Sequence, residues 1–231
     1  MKASLLLLAL PLCLAPAAAR ADDAPTGVWF VGGSVSEGAS AYAGGLVSVP
    51  GNKLGDGLAV RLTLSGGRYK YDAGSTPITA EYGAAEAALV YQFSGKWGWA
   101  NVSAGPKFSH TSLSPVDLGN KLRGSRWDLG LQSDGALDGP NWRLSWYGSL
   151  GATNQAYQGQ LQLGRKLAAG KFRLGVEAGI QGDPSYKRGN FGGFVSKTIG
   201  RNLDVQVGSG ITVQRGRGSR AYGSIGLSQV F

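Results

Sequence analysis

From Leu203 to Gln214 the apolar side chains fall mainly on odd positions: Leu203, Val205, Val207, Ile211 and Val213. Asp204, Gln206, Gly208, Gly210, Thr212 and Gln214 take the even ones. A period of two belongs to a strand whose faces meet different media. The turn-like Arg215-Gly216-Arg217-Gly218-Ser219 leads into 221–231, with Ile225, Leu227 and Phe231 on one side and Ser224, Gly226 and Ser228 on the other. The same alternation sets Phe172, Leu174, Val176, Ala178 and Ile180 against Arg173, Gly175, Glu177, Gly179 and Gln181. Trp142, Leu144, Trp146 and Leu150 oppose Arg143, Ser145, Tyr147 and Ser149 in the same way.

Followed along the chain, the pattern predicts twelve strands, or ten if the weak first pair or the break near 152–158 is misread. The first two are expected over 28–37 and 41–50, with Trp29 and Tyr42 as interface rings. Leu58, Val60, Leu62 and Leu64 open the third strand, and Gly66-Gly67 predicts a bulge or bend in it. Pro106 has no N–H to give to a ladder, so it predicts an interruption of the strand that carries Val102 and Phe108. The longest connection is expected over 111–124 and the tenth strand over 190–199.

Met1-Lys2-Ala3-Ser4, an apolar run from Leu5 to Leu14 and small residues up to Ala21 read as a secretory signal over 1–21. Residues 22–231 then form one domain. Its charge is +7, from 21 basic and 14 acidic residues, and it keeps no cysteine, because the lone Cys13 lies in the leader. Glycine is abundant, 39 residues in 231, against a usual share of roughly 7 %. Six Trp, nine Tyr and seven Phe argue against disorder. No apolar run after the signal reaches the length of a spanning helix.

An exported, alternating, helix-poor chain fits an all-β fold, a closed antiparallel transmembrane β-barrel in the bacterial outer membrane. Closure leaves no unpaired backbone in hydrocarbon, and an even strand count returns the C-terminus to the periplasmic side. The terminal Phe231 resembles the closing strand of such barrels, although Gln229 stands where an apolar residue is usual.

Several stretches carry a resemblance over nearly all of the mature chain. They are Gly27-Val28-Trp29-Phe30-Val31-Gly32-Gly33, Ala41-Tyr42-Ala43-Gly44-Gly45, Gly55-Asp56-Gly57-Leu58-Ala59-Val60-Arg61-Leu62, Arg68-Tyr69-Lys70-Tyr71, and the Gly-rich hairpin running to Phe231. The chain resembles the cellulose biosynthesis protein family BcsS. That resemblance implies an outer-membrane accessory of bacterial cellulose production or export, with cellulose-synthase or export components and exopolysaccharide as partners beside outer-membrane lipid. It implies no set of active residues.

Parity places Arg61, Lys107, Asp128, Arg143, Arg173, Glu177 and Asp204 on the lumen side. Opposite charges there either pair and fill the interior or line a water-filled passage, which makes a general small-solute porin the alternative function. Lys121, Arg123, Lys187, Arg188, Arg215, Arg217 and Arg220 are expected to form a basic outer rim that attracts acidic lipid or polymer. His110 is the only histidine, and Ser109-His110 is the one pair a lipid-modifying enzyme would use. The carboxylates show no metal-ligand spacing, the glycines form no phosphate loop, and no nucleic-acid motif appears. No cofactor is expected, and an enzyme is the least favoured reading.

Overall fold

A computed structural model describes residues 25–168 and 170–231, so the signal segment and its cleavage site lie outside the described residues. Twelve strands follow in order. They are β1 (Gly27–Val35), β2 (Ala39–Ser48), β3 (Gly57–Ala73), β4 (Thr76–Gly95), β5 (Gly98–Ser114) and β6 (Gly124–Asp138). The second half comprises β7 (Trp142–Gly151), β8 (Tyr157–Leu167), β9 (Phe172–Asp183), β10 (Tyr186–Ile199), β11 (Leu203–Gln214) and β12 (Gly218–Val230). Each strand pairs antiparallel with its sequence neighbours, and β1 pairs with β12 to close the barrel.

The closing seam is tied at its base by Phe231. Its carbonyl accepts from the N–H groups of Thr26 and Gly27 at 2.8 and 3.0 Å, and its own N–H donates to the Gly27 carbonyl at 3.0 Å. Gln229 has a specific partner in the seam: the Trp29 indole N–H donates to its side-chain oxygen at 3.2 Å. A polar pair there leaves neither group unsatisfied at the membrane boundary.

Alternation sets the two faces. Leu62 is 61 % exposed, Trp127 71 % and Ile180 59 %, whereas Arg61, Asp128 and Glu177, each one residue from an outward apolar neighbour or nearly so, are buried. Outward apolar side chains on neighbouring strands make a continuous belt, the surface a barrel presents to lipid. The belt on β3 ends at Leu64, with Arg68 and Lys70 above it; on β10 it ends at Phe191, with Lys187 above. The protein is an outer-membrane β-barrel.

Several expectations need correction. β3 runs through Gly66 and Gly67 with one unbroken register against both β2 and β4, so there is no bulge. Arg68 to Tyr71 keep alternating; the medium changes, because the strand has left the belt. β5 continues past Pro106, although the ladder to β4 lacks the pairs that Gly105 and Pro106 would make. β5 reaches Ser114, which cuts the longest connection to 115–123, and β10 begins at Tyr186. Tyr42 lies on the inward parity of β2 with Leu46 and Ser48, its ring 6.3 Å from that of Phe30, so it is not an interface ring.

Strand length varies around the barrel, from 9 and 10 residues in β1 and β2 to 17 and 20 in β3 and β4. The wall is therefore notched at the β1–β2 turn and tall on both sides of it. With Thr26 and Phe231 together at the opposite end, this tall, uneven end is the outer one.

Candidate functional site

The lumen is polar through its middle, and its hydrogen bonds run around the wall. Arg61 on β3 donates through Nη1 to Gln132 at 2.7 Å and through Nη2 to Asp134, both on β6. Gln132 passes the contact on to Glu86, and Asn101 donates to the second oxygen of Asp134 at 2.9 Å. Lys107 on β5 is the register partner of Glu86 on one side and Asp128 on the other, an acid–base–acid row on the inner face. Asp128 also anchors the 152–156 turn, accepting from the N–H and hydroxyl of Thr153 at 2.9 and 2.7 Å.

On the other half, Glu177 is 1 % exposed and, among the described residues, has no salt-bridge partner. The Tyr222 hydroxyl donates to it at 2.7 Å, and the Gln162 and Gln160 amides donate at 2.8 and 3.3 Å. Arg173 pairs with Asp204 at 2.9 Å. Near the base, Asp138 takes Lys166 at 2.6 Å and Arg143 at 3.4 Å. Of the seven lumen candidates, then, only Arg173 and Asp204 pair with each other. Arg61 and Arg143 find Asp134 and Asp138, which share the even parity of Asp128 on β6; that parity was the available signal for them.

The outer mouth is built differently. Tyr69 on β3 donates its hydroxyl to Asp183 on β9 at 3.3 Å. These strands stand six apart in a ring of twelve, so the contact spans the diameter. The Tyr69 ring lies 4.8 Å from Tyr186 and 6.1 Å from both Tyr71 and Tyr82. Tyr71, Ile78, Ala80, Leu113 and Tyr186 form a buried cluster around it. The 115–123 loop is drawn in from the side: the Tyr71 hydroxyl donates to Asp117 at 2.8 Å and accepts from the Asn120 amide at 2.8 Å.

A second seal fills the notch. Arg217, in the β11–β12 turn, holds Glu37 at 2.9 Å and Asp72 at 2.8 Å, and Gln214 donates to the Lys70 carbonyl at 2.6 Å. Burial pushes the Tyr71 and Tyr186 hydroxyls up to about 12 and raises Tyr69 further. Burial also raises the Asp183 carboxyl, partly offset by the Ser185 N–H and the Tyr69 hydroxyl. In each case water is withdrawn from the charged form.

The basic outer residues do not act as one group. Lys121 and Arg123 are exposed on the 115–123 loop, and Lys187, Arg215 and Arg220 are exposed elsewhere on the rim. Arg188 turns into the mouth, donating to Gln181 at 2.7 Å, and Arg217 is neutralised by its two carboxylates. The carboxylates of the mouth, Glu37 and Asp72 on Arg217, Asp117 on Tyr71 and Asp183 on Tyr69, come from four separate segments, and no local spacing marks them. Ser109 and His110 are neighbours on one strand and point to opposite faces, so they form no nucleophile–base pair. His110 Nδ1 instead lies 2.9 Å from Ser125 Oγ on the outer face.

The family described as "Cellulose biosynthesis protein BcsS" matches residues 28–231. A search of curated proteins returned no match. Among solved structures, the translocator domain of autotransporter NalP from Neisseria meningitidis is similar at 13 % identity and TM-score 0.51, covering 89 % of each chain. The beta domain of the Bordetella autotransporter BrkA shows 13 % identity and TM-score 0.48, over 90 % of this chain and 100 % of that one. The KdgM porin shows 11 % identity and TM-score 0.47, over 88 % and 99 %. At such identities the likeness concerns the barrel fold.

Proposed function

The chain belongs to the BcsS family of cellulose biosynthesis proteins, and from that membership we propose that it is an outer-membrane accessory of bacterial cellulose production or export, closed at its outer mouth when at rest. Family membership over residues 28–231 carries the cellulose assignment. The diametric Tyr69–Asp183 contact supports the closed resting state. In this reading the barrel works beside cellulose-synthase or export components, and exopolysaccharide meets its exposed rim at Lys121, Arg123, Lys187, Arg215 and Arg220. A neutral glucan gains nothing from charge, so that rim serves acidic substituents or lipid.

The test is to measure cellulose inside the envelope and outside the cell, with and without the gene, while following synthase protein. Loss outside with retention inside supports export, and loss in both supports synthase assembly. Unchanged polymer amount, location and texture would sink the proposal.

One observation favours a second reading, a small-solute channel. In mid-lumen, among the described residues, side-chain hydrogen bonds join strands no more than three apart, from Arg61 on β3 to β6 and from Glu177 on β9 to β12. Arg61, Lys107, Asp128, Arg143, Arg173, Glu177 and Asp204 would then line a passage that opens when the mouth parts. Planar-bilayer current steps that scale with salt would support it; a silent, folded barrel whose mouth contacts have been removed would exclude it.

A further inference from the structure

The lipid-facing wall carries a groove of about 610 Å³ across β12, β1, β2 and β3, just below the notch. Strand register explains it. Gly33 on β1 pairs with Ala41 on β2, and Ala41 pairs with Gly66 on β3, so three of the smallest side chains lie in one row. In the next row up, Val35 lies between Gly223 and Ala39, and Ala39 pairs with Arg68. Large residues border this floor: Ile225 is 55 % exposed and Val35 64 %. The volume falls within the roughly 300–1,000 Å³ range of small-ligand sites.

The groove lies at the outer edge of the belt, its lower row one outward position above Leu64 and bordered by the outward Ile225, so its occupant comes from the membrane. Ser34, Ser40 and Ser224 reach its lining from positions of inward parity; the outward side chains are apolar except at the upper end, where Arg68 stands exposed at the level at which the β3 belt gives way to polar residues. Glu81 is the register partner of Arg68 on β4, on the side away from the groove, and no salt bridge joins them among the described residues. Lys70 is the next outward position up the same strand. An acyl-sized trough capped by a cation at the outer interface matches a lipid with an anionic phosphate headgroup.

We propose that this groove is a binding site for one acyl chain of the phosphorylated glycolipid of the outer leaflet, with Arg68 facing its phosphate. The assignment needs only the outer-membrane placement of the barrel and is independent of any role in cellulose production.

The test uses the purified full chain in detergent, titrated with lipid A, dephosphorylated lipid A and phosphatidylethanolamine, and read by native mass spectrometry. Gly223→Leu fills the groove without backbone conflict, since a Cβ there meets nothing within 4 Å. It should weaken lipid A binding by about tenfold. Arg68→Gln should erase the preference for phosphorylated over dephosphorylated lipid A. Ala178→Leu, outward on β9, should match the parent protein. Heat-modifiable migration checks folding of each variant, and Ala41→Leu replaces Gly223→Leu should the latter not fold. Equal binding of all three lipids, or equal binding by the filled variants, would overturn the proposal in favour of general annular lipid. So would a dimer of this chain that Gly223→Leu disperses.

Discussion

Arg217 and Asp72, 145 residues apart in sequence, meet at 2.8 Å across the gap left by the short β1–β2 hairpin. The same guanidinium takes Glu37 from the β1–β2 turn, so one side chain joins three segments of the rim. Arg217→Gln should loosen the notch without unfolding the barrel. Partly exposed pairs contribute roughly 0–1 kcal/mol each. Hydrogen exchange at the outer ends of β3 and β12 should therefore rise by up to about thirtyfold, the two pairs together, while exchange near Phe231 stays constant.

The mouth should respond to pH in one direction. Asp183 holds its proton above the ordinary carboxyl range when buried against Tyr69, so the closed mouth binds more protons than the open one. Closure is then strongest in acid and weakens as pH rises through the raised value. Tyr71 and Tyr186, pushed up to about 12, add a second window: closure supported below the usual tyrosine value of about 10 is lost as pH climbs toward 12. Single-channel open probability, followed from acid to neutral pH, should rise in the parent protein and lose that dependence in Asp183→Asn. A flat parent profile would remove the acid window.

Arg61 is 5 % exposed, and its loss would leave Asp134 without its cation. Arg61→Ala should destabilise the barrel by about 3–5 kcal/mol, the usual cost of breaking a buried pair. Arg61→Gln with Asp134→Asn, which removes both charges, should recover most of that. Urea unfolding in detergent, followed by tryptophan fluorescence, measures both; equal loss in the single and double variants would show that the ion pair is not the cause.

Two lumen glycines make an asymmetric comparison with one on the outer wall. A Cβ at Gly208 would stand 2.6 Å from both Glu177 Oε1 and Ser224 Oγ, and one at Gly175 would meet the Leu163 carbonyl. A Cβ at Gly83 meets nothing within 4 Å. Alanine at 208 or 175 should cost about 1–3 kcal/mol by overpacking, the larger effect at 175, where backbone must move. Alanine at 83 should be neutral in the same unfolding assay.

The middle of each strand was legible because a strand between lipid and water alternates with period two. Phe172 to Ile180 and Leu203 to Gln214 needed no tertiary information. The strand ends were read too short at Tyr186 and at Thr111 to Ser114, because above the belt the faces exchange character: Leu113 and Tyr186 turn inward into the buried mouth cluster while Ser112 and Ser114 face outward, so the pattern of the belt does not carry on. Gly66-Gly67 suggested a bulge for the same reason: the change of medium at Arg68 resembles a break in pattern. Tyr42 was misplaced because an aromatic ring suits both a membrane interface and a roomy lumen, and only the register to Gly32 and Ser65 assigns its face.

By itself the sequence determined an alternating, closed barrel of even strand number and the inward parity of mid-strand charges such as Arg61 and Glu177, since parity is a local property of the chain. Tertiary structure alone decided which charges meet, that Tyr69 reaches Asp183 across the mouth, and that Gly33, Ala41 and Gly66 share one row. Those relations depend on register and closure between residues far apart in the chain, and strand periodicity carries no information about them.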